Sequence, residues 1–295
     1  MKKSLKQMNL KRIAPLFFGT VLLFIASCSE ETESMEDGTD TDTEVISATE
    51  LQYSDETEMI SEEVTTIAED VYATDEISLT SKFDYVSDHL PDCVIVTTVV
   101  TDTTREKTID FGDGCELPNG NVLSGIIHLS YEKDMEAASK SIALSLENFT
   151  FNGVAVEGSA DILRVRANEN GNPQGTANAS FNATWPEGDT ASFEGTRTRE
   201  WIEGYGSGFW GDNVFLITGK RTYIGREGNE FVKEVITPLR REMACRFIVS
   251  GVLEISRNDS TASLDFGDGT CDAKGILTQP DGTEVEIFLR RFWKK

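Results

Sequence analysis

The sequence predicts an all-β domain with a single helix on its N-terminal side. After residue 91 the chain consists of short runs rich in Val, Ile, Thr and aromatic residues, separated by Asn, Asp and Gly. Turn pairs such as Asn119-Gly120 and Asp281-Gly282 recur at short intervals, which is typical of antiparallel hairpins. Strand patterns do not alternate with helical ones, so a parallel α/β fold is not expected.

The first 27 residues have the pattern of an export signal. They contain five basic residues and no acidic one, then an apolar run, and they end in Ile25-Ala26-Ser27 before Cys28. The apolar run is shorter than the roughly 20 residues that a membrane-spanning helix needs. The pattern predicts a lipoprotein signal peptide over 1–27, with Cys28 as the lipidated residue. A plain secretory signal and an N-terminal membrane anchor are the alternatives.

The next segment is strongly acidic. The whole chain has a formal net charge of −24, and residues 29–90 hold 20 acidic residues against one basic residue, Lys82. Such a charge repels nucleic acid, which we exclude as a partner. Residues 28–52 contain too little apolar surface to fold, so they are expected to form a disordered tether between the lipid and the folded part.

Residues 53–90 are predicted to form an amphipathic helix and a linker. Ile60, Val64, Ile67 and Val71 fall on one face of a helix over 55–72. Asp55 occupies the expected N-cap position. We expect this apolar stripe to dock on the domain that follows.

Residues 91–295 are long enough for one β domain with a sizeable core. About thirteen mostly antiparallel strands are expected, and a sheet this wide must curl, close or split. A curled meander or barrel-like sheet is favoured slightly over a Greek-key sandwich. The predicted strands are 94–101, 107–111, 122–131, 142–151, 154–165, 176–185, 190–202, 214–224, 230–237, 247–256, 262–266, 275–278 and 284–292.

Four cysteines remain besides Cys28, and an exported protein with four cysteines is expected to form two disulfides. Cys93 and Cys115 flank a turn near residue 104, and Cys245 and Cys271 flank a turn near residue 258. Each pair would therefore lie across two neighbouring strands, within disulfide reach. This placement predicts the bonds Cys93–Cys115 and Cys245–Cys271.

The two predicted hairpins form an internal repeat over 93–130 and 245–290. Each contains Asp-Phe-Gly-Asp-Gly shortly before its second cysteine, but the second copy has the additional residue Thr270. A bulge near 268–270 would restore the strand phase. A tight glycine turn that positions a cysteine is the favoured interpretation. A calcium site at Asp110 and Asp113 and a PKD-like module are weaker alternatives, and a kinase magnesium motif lacks its companion motifs.

Two features resemble known lipoproteins of the Bacteroidota. Cys28 followed by Ser29, Glu30, Glu31 and Glu33 resembles the export signal of their surface lipoproteins. The Cys…Asp-Phe-Gly-Asp-Gly-Cys repeat resembles uncharacterised lipoproteins of the same group. The resemblance implies an outer-membrane lipoprotein exposed at the cell surface, with the periplasmic face as the alternative. It implies no activity.

Catalytic and cofactor signals are weak. His89 and His128 lack metal-ligand spacing, Gly-x-Ser-x-Gly does not occur, and we expect neither a metal nor a cofactor. Paired carboxylates in so acidic a chain leave a glycosidase formally open. We expect a non-enzymatic protein.

One group of residues is a candidate ligand site. Arg197 and Arg199 share a strand face, and Trp201, Tyr205 and Trp210 follow closely in sequence, the last two within a glycine-rich loop over 204–211. Guanidinium groups and exposed rings suit anionic or sugar ligands. The favoured alternative is core packing with cross-strand ion pairs to Glu200, Glu203 and Glu234.

Two functions from different classes follow. The first is a non-enzymatic envelope or interaction protein held to the membrane by its N-terminal lipid. The second is a glycan- or small-ligand-binding lipoprotein of an uptake system. A filled sheet interior would favour the first, and a concave Trp/Tyr platform would favour the second.

Overall fold

The computed structural model describes residues 45–79, 85 and 87–289. This part of the chain contains one long helix and fourteen strands, so the predicted all-β class with one N-terminal helix is confirmed. The helix α1 spans Ala48–Ser78. The strands are β1 (Ile95–Val100), β2 (Thr104–Asp110), β3 (Cys115–Glu116), β4 (Val122–Glu132), β5 (Ser139–Phe151), β6 (Val154–Val165), β7 (Gln174–Thr184), β8 (Thr190–Glu203), β9 (Val214–Ile224), β10 (Glu230–Glu242), β11 (Ile248–Arg257), β12 (Ser260–Asp268), β13 (Lys274–Thr278) and β14 (Glu284–Phe288).

The strands form one antiparallel meander. Each strand pairs with the next in the chain from β1 to β14, except that the short β3 pairs beside β4. This order confirms the predicted meander and contains no Greek-key crossover. All thirteen predicted strands are present, and only β3, two residues long, was not predicted. β1 and β14 are the edges of the sheet, which is not closed.

Helix α1 begins earlier than the sequence pattern predicts. Its N-cap is Ser47, whose hydroxyl accepts from the backbone N–H of Glu50 at 3.5 Å, and not Asp55. Ile46 and Leu51 are buried, and the Ile46 backbone exchanges two hydrogen bonds with the Gln279 side chain. The expected tether over 28–52 is therefore wrong for residues 46–52, while Cys28 and residues 29–44 lie outside the described residues.

The helix lies inside the curled sheet. The predicted stripe of Ile60, Val64, Ile67 and Val71 is buried as expected, but Thr57, Ser61, Glu69 and Asp70 on other sides are buried too. Residues from strands far apart in the sheet reach the same helix, which requires the sheet to curl around it. Lys107 of β2 donates to Asp75 at 2.7 Å, and the Phe288 carbonyl of β14 accepts from Gln52 at 2.7 Å. Helix and sheet share one hydrophobic core.

Charge complementarity accompanies this packing. The acidic side chains of the helix meet basic side chains that point inward from the sheet, and buried charges are tolerated when they are paired. Arg164 contacts Glu76 at 2.9 Å, and both side chains are almost fully buried. Gly175 on β7 allows close approach, because a Cβ at this position would overlap the Glu69 carboxylate. The acidic helix α1 is thus part of the core, which its composition alone does not reveal.

Both predicted disulfides are confirmed. Cys93 bonds Cys115, and Cys245 bonds Cys271, with Cα–Cα distances of 5.8 and 5.7 Å. In each repeat the first aspartate of Asp-Phe-Gly-Asp-Gly closes a local turn, since Asp110 and Asp265 accept from the N–H of the glycine two residues later at 2.8 Å. The register shift on β12 falls between Asp265 and Asp268 rather than at 268–270.

Candidate functional site

Arg197 and Arg199 point from β8 into the interior, where they contact the helix. Arg197 Nη2 lies 2.6 Å from Glu58 Oε1. Arg199 Nη1 lies 3.3 Å from Glu69 Oε2 and donates to the Thr66 hydroxyl. Both arginines are about 95 % buried, so an external ligand does not reach them as the structure stands.

Arg197 and Arg199 form ion pairs, as expected, but their partners differ from those predicted. Glu200 accepts from Asn170 and Asn172, Glu203 pairs with Arg240 at 3.1 Å, and Glu234 pairs with Lys220 at 2.9 Å. The partners expected for Arg197 and Arg199 were wrong because the sequence does not show that an acidic helix lies against this face, whereas Glu234 does form an expected cross-strand pair, with Lys220.

Glu58 is the centre of a buried charge cluster with three cations. Besides Arg197, its carboxylate lies 3.8 Å from Arg221 and 3.4 Å from Lys233. Burial alone would raise the pKa of Glu58, but the three nearby cations outweigh it and hold this pKa well below its usual range. The cluster fixes the middle of the helix against β8, β9 and β10.

The candidate aromatic residues pack at one end of the interior. Trp201 is buried, and its indole N–H donates to Asn213 Oδ1 at 2.9 Å. The Tyr205 ring lies 4.9 Å from that of Trp201, and its hydroxyl donates to Glu76 at 2.7 Å. Trp210, in a single 3-10 turn, stacks on His89 with ring centroids 4.1 Å apart. These rings therefore belong mainly to the core, in agreement with the favoured interpretation of the sequence, and they do not form the exposed ligand platform that was the alternative.

Trp210 nevertheless borders a cavity of about 340 Å³ at this end of the sheet. Its walls come from five separate segments: one side of helix α1, residues 88–89, the turn after β3, the loop over 209–211 and residues 241–246 at and after the end of β10. The volume is within the range of small-molecule pockets. The loop that the sequence indicated thus contributes to a concave site, together with residues that the sequence did not indicate.

Two buried polar groups in this cavity face each other without a hydrogen bond. Glu63 Oε1 and His89 Nε2 are 3.9 Å apart, and neither has a hydrogen-bond partner. The other carboxylate oxygen of Glu63 accepts from Asn119 Nδ2 at 2.9 Å and from Asn121 Nδ2 at 3.3 Å. The two amides therefore orient the Glu63 carboxyl group.

Burial sets the protonation of both groups. It raises the pKa of Glu63, although the Arg241 charge and the Asn119 hydrogen bond oppose this. It lowers the pKa of His89 to about 3, and the Arg199 charge adds to this effect. His89 is therefore neutral at pH 7, and the cavity offers hydrogen-bonding groups rather than a strong charge.

His89 was not singled out by the sequence, because its contacts with Glu63 and Trp210 join distant parts of the chain. His128, the other histidine, is on β4 and lies 2.8 Å from the exposed Glu147. Among the described residues, no group of three or more His, Cys, Asp or Glu side chains could hold a metal ion. No helix in the described part is long and apolar enough to cross a bilayer.

No protein-family model, curated protein or solved structure matches this chain.

Proposed function

We propose that this protein is a non-enzymatic lipoprotein of the cell envelope, anchored in the outer membrane through Cys28 and exposed at the cell surface as an interaction protein. The observation that supports this function best is the filled interior. A curled sheet commonly encloses its ligand, but here helix α1 occupies that space, and its charged side chains are paired with the sheet.

Further support comes from the two disulfides and from the N-terminal signal sequence. One disulfide joins the segments before β1 and after β2, and the other joins the segments after β10 and after β12, which suits an oxidising compartment. The basic and apolar leader before Cys28 and the acidic residues that follow it favour lipid anchoring and surface export. Together these features favour a rigid domain displayed outside the cytoplasm.

The anchoring is tested with the variant Cys28→Ala in cells, followed by separation of membrane and soluble fractions. We expect the wild-type chain in the outer-membrane fraction and the variant in the soluble fraction. Ser29→Ala is the matched control and should stay with the membrane. If Cys28→Ala remains in the membrane fraction, the lipid anchor is wrong.

The side of the membrane is tested by adding a protease to intact cells. Cleavage without permeabilisation is expected for a domain at the cell surface. Cleavage only after permeabilisation would place the domain on the periplasmic face and would overturn surface exposure while leaving the anchor intact.

The second candidate function, a ligand-binding lipoprotein of an uptake system, is favoured by one observation. The cavity beside Trp210 is open enough for a small molecule, although Arg197, Arg199 and Trp201 are not available to one.

A further inference from the structure

The cavity beside Trp210 combines three properties of a binding site that folding alone does not explain. The first is the pair of unpartnered polar atoms, Glu63 Oε1 and His89 Nε2. Glu63 and His89 are 7 % and 2 % exposed, and buried polar atoms that lack a partner cost free energy. A ligand hydroxyl group between them would satisfy both.

The second property is preorganisation of these atoms. Asn119 and Asn121 hold one oxygen of Glu63, and Asn121 in turn accepts from Asn152 at 3.1 Å. The His89 ring is held by the Trp210 ring. The two unpartnered atoms therefore occupy fixed positions before any ligand arrives, which lowers the entropic cost of binding.

The third property is the wall of the cavity. Trp210, Phe209 and Met243 provide apolar surface next to the polar pair, and Phe209 is 60 % exposed. Aromatic surface beside convergent hydrogen-bonding groups suits the C–H faces and hydroxyl groups of a sugar.

The charge around the cavity selects against anionic ligands. The carboxyl groups of Glu62, Glu63 and Asp88 and the guanidinium groups of Arg241 and Arg246 border it. Arg241 is committed to Glu62 at 2.9 Å and to backbone carbonyls. No surplus of positive charge is left for an anion, and the neutral His89 adds none.

We propose that the cavity bordered by Glu63, His89 and Trp210 binds a neutral, polyhydroxylated small molecule of about monosaccharide size. The Glu63 carboxyl and the His89 ring hydrogen-bond a hydroxyl group of the ligand, and Trp210 contacts its apolar face. This binding does not depend on the lipid anchor, so it is tested separately from the anchoring at Cys28.

The test is a titration of the purified full chain in detergent, followed by tryptophan fluorescence and by calorimetry. The probes are glucose, galactose and N-acetylglucosamine, with glucuronate as an anionic comparison. We expect saturable binding of at least one neutral sugar with a dissociation constant below about 1 mM, and weaker binding of glucuronate. If no neutral sugar binds saturably, or if only glucuronate does, the proposed ligand class is wrong.

Variants locate the site. Glu63→Gln and Trp210→Ala should each weaken binding by at least about tenfold. Met243→Trp should fill the cavity and block binding without removing a polar group. It therefore tests the site even if Glu63→Gln or Trp210→Ala lose binding through unfolding. The exposed pair provides matched controls, since Glu147→Gln and His128→Gln should bind like the wild type.

The melting midpoint of each variant is measured alongside binding. If Met243→Trp melts like the wild type and still binds with unchanged affinity, the ligand occupies another place and the proposed site is wrong.

Discussion

At the scale of single residues, the most informative feature is how many charges are buried. Arg197, Arg221 and Lys233 are each about 95 % buried and share the one carboxylate of Glu58. Removing one member of such a cluster costs more than the cluster contributes to stability, because the remaining charges stay buried without a partner. Glu58 is therefore a sensitive point of the helix–sheet contact.

We predict that Glu58→Gln lowers the free energy of unfolding by about 3 kcal/mol, because three buried cations lose the carboxylate that lies within 4 Å of each of them. Glu234→Gln is the matched control. It breaks an exposed pair with Lys220, and such pairs contribute about 0–1 kcal/mol. Urea denaturation of the two variants measures both values, and equal losses would show that Glu58 is not a special site.

Asp70 makes the stability of the protein depend on pH. It is 2 % exposed, and its Oδ1 has no hydrogen-bond partner. Burial raises its pKa to about 7, with a hydrogen bond from Ser87 opposing and the Asp88 charge adding to the shift. Between the unfolded value of 3.8 and this folded value, the folded state holds a proton that the unfolded state releases. Asp70 therefore makes the protein less stable as the pH rises through this range.

We predict that Asp70→Asn is more stable than the wild type at pH 8, by an amount on the order of a few kcal/mol. The difference should shrink as the pH is lowered towards 4, where both the carboxylic acid and the amide are neutral. Denaturation curves at pH 4, 6 and 8 measure it, with the exposed Asp161→Asn as control. A difference that does not change with pH would show that Asp70 ionises normally.

At the scale of elements, the sequence determines most strands locally but does not determine the surroundings of helix α1. The strands follow from alternation and turn pairs, which act over a few residues. The helix start was missed because Glu50 and its neighbours look solvated, whereas they meet partners such as Arg257 more than 200 residues away. The disulfides could be predicted because each closes a single hairpin.

The candidate site could likewise be predicted from the sequence only in part. The loop that contains Trp210 could be recognised from its glycines and aromatic residues. The cavity could not, because Glu63, Asn121 and Trp210 come together only through the curl of the sheet. Pairing of β-strands in sequence order gives the topology but not this curvature.

The early start of the helix leads to a truncation prediction. A chain that begins at Val45 should melt like the full chain. A chain that begins at Tyr53 loses the buried Ile46 and Leu51, which together contribute about 3–6 kcal/mol and correspond to a melting midpoint lower by on the order of 10 °C. A chain that begins at Pro91 lacks the whole helix and should not fold.

Calorimetry of the three truncated chains and the full chain provides the measurement. Coincident melting of the chains that begin at 45 and 53 would contradict the buried helix start.

At the scale of the whole molecule, two electrostatic effects oppose each other. The chain has a formal net charge of −24, so its exposed carboxylates repel one another and disfavour the compact state. The pairs inside, such as Arg164–Glu76 and Arg199–Glu69, are nearly fully buried. Salt screens exposed charges much more than buried ones.

We predict that raising the NaCl concentration from about 0.05 to 0.5 M increases the melting midpoint by a few degrees, because screening relieves the repulsion at the surface and leaves the interior pairs intact. Glu58→Gln should show a similar increase from a lower starting point. A midpoint that falls with salt would mean that the helix–sheet pairs are accessible to ions.

Because helix α1 precedes every strand in the chain, its contacts with the sheet form in a defined order during synthesis. A chain emerges from its N-terminal end, yet the Ile46 backbone hydrogen-bonds the side chain of Gln279, 233 residues later. Successive hairpins can form one after another from local contacts. The start of helix α1 is synthesised before them but can complete its contacts only after the last strands have been made. Until β13 and β14 are made, the start of the helix lacks its contacts with the Gln279 side chain and the Phe288 carbonyl. The chain therefore completes its interior only when synthesis is nearly finished.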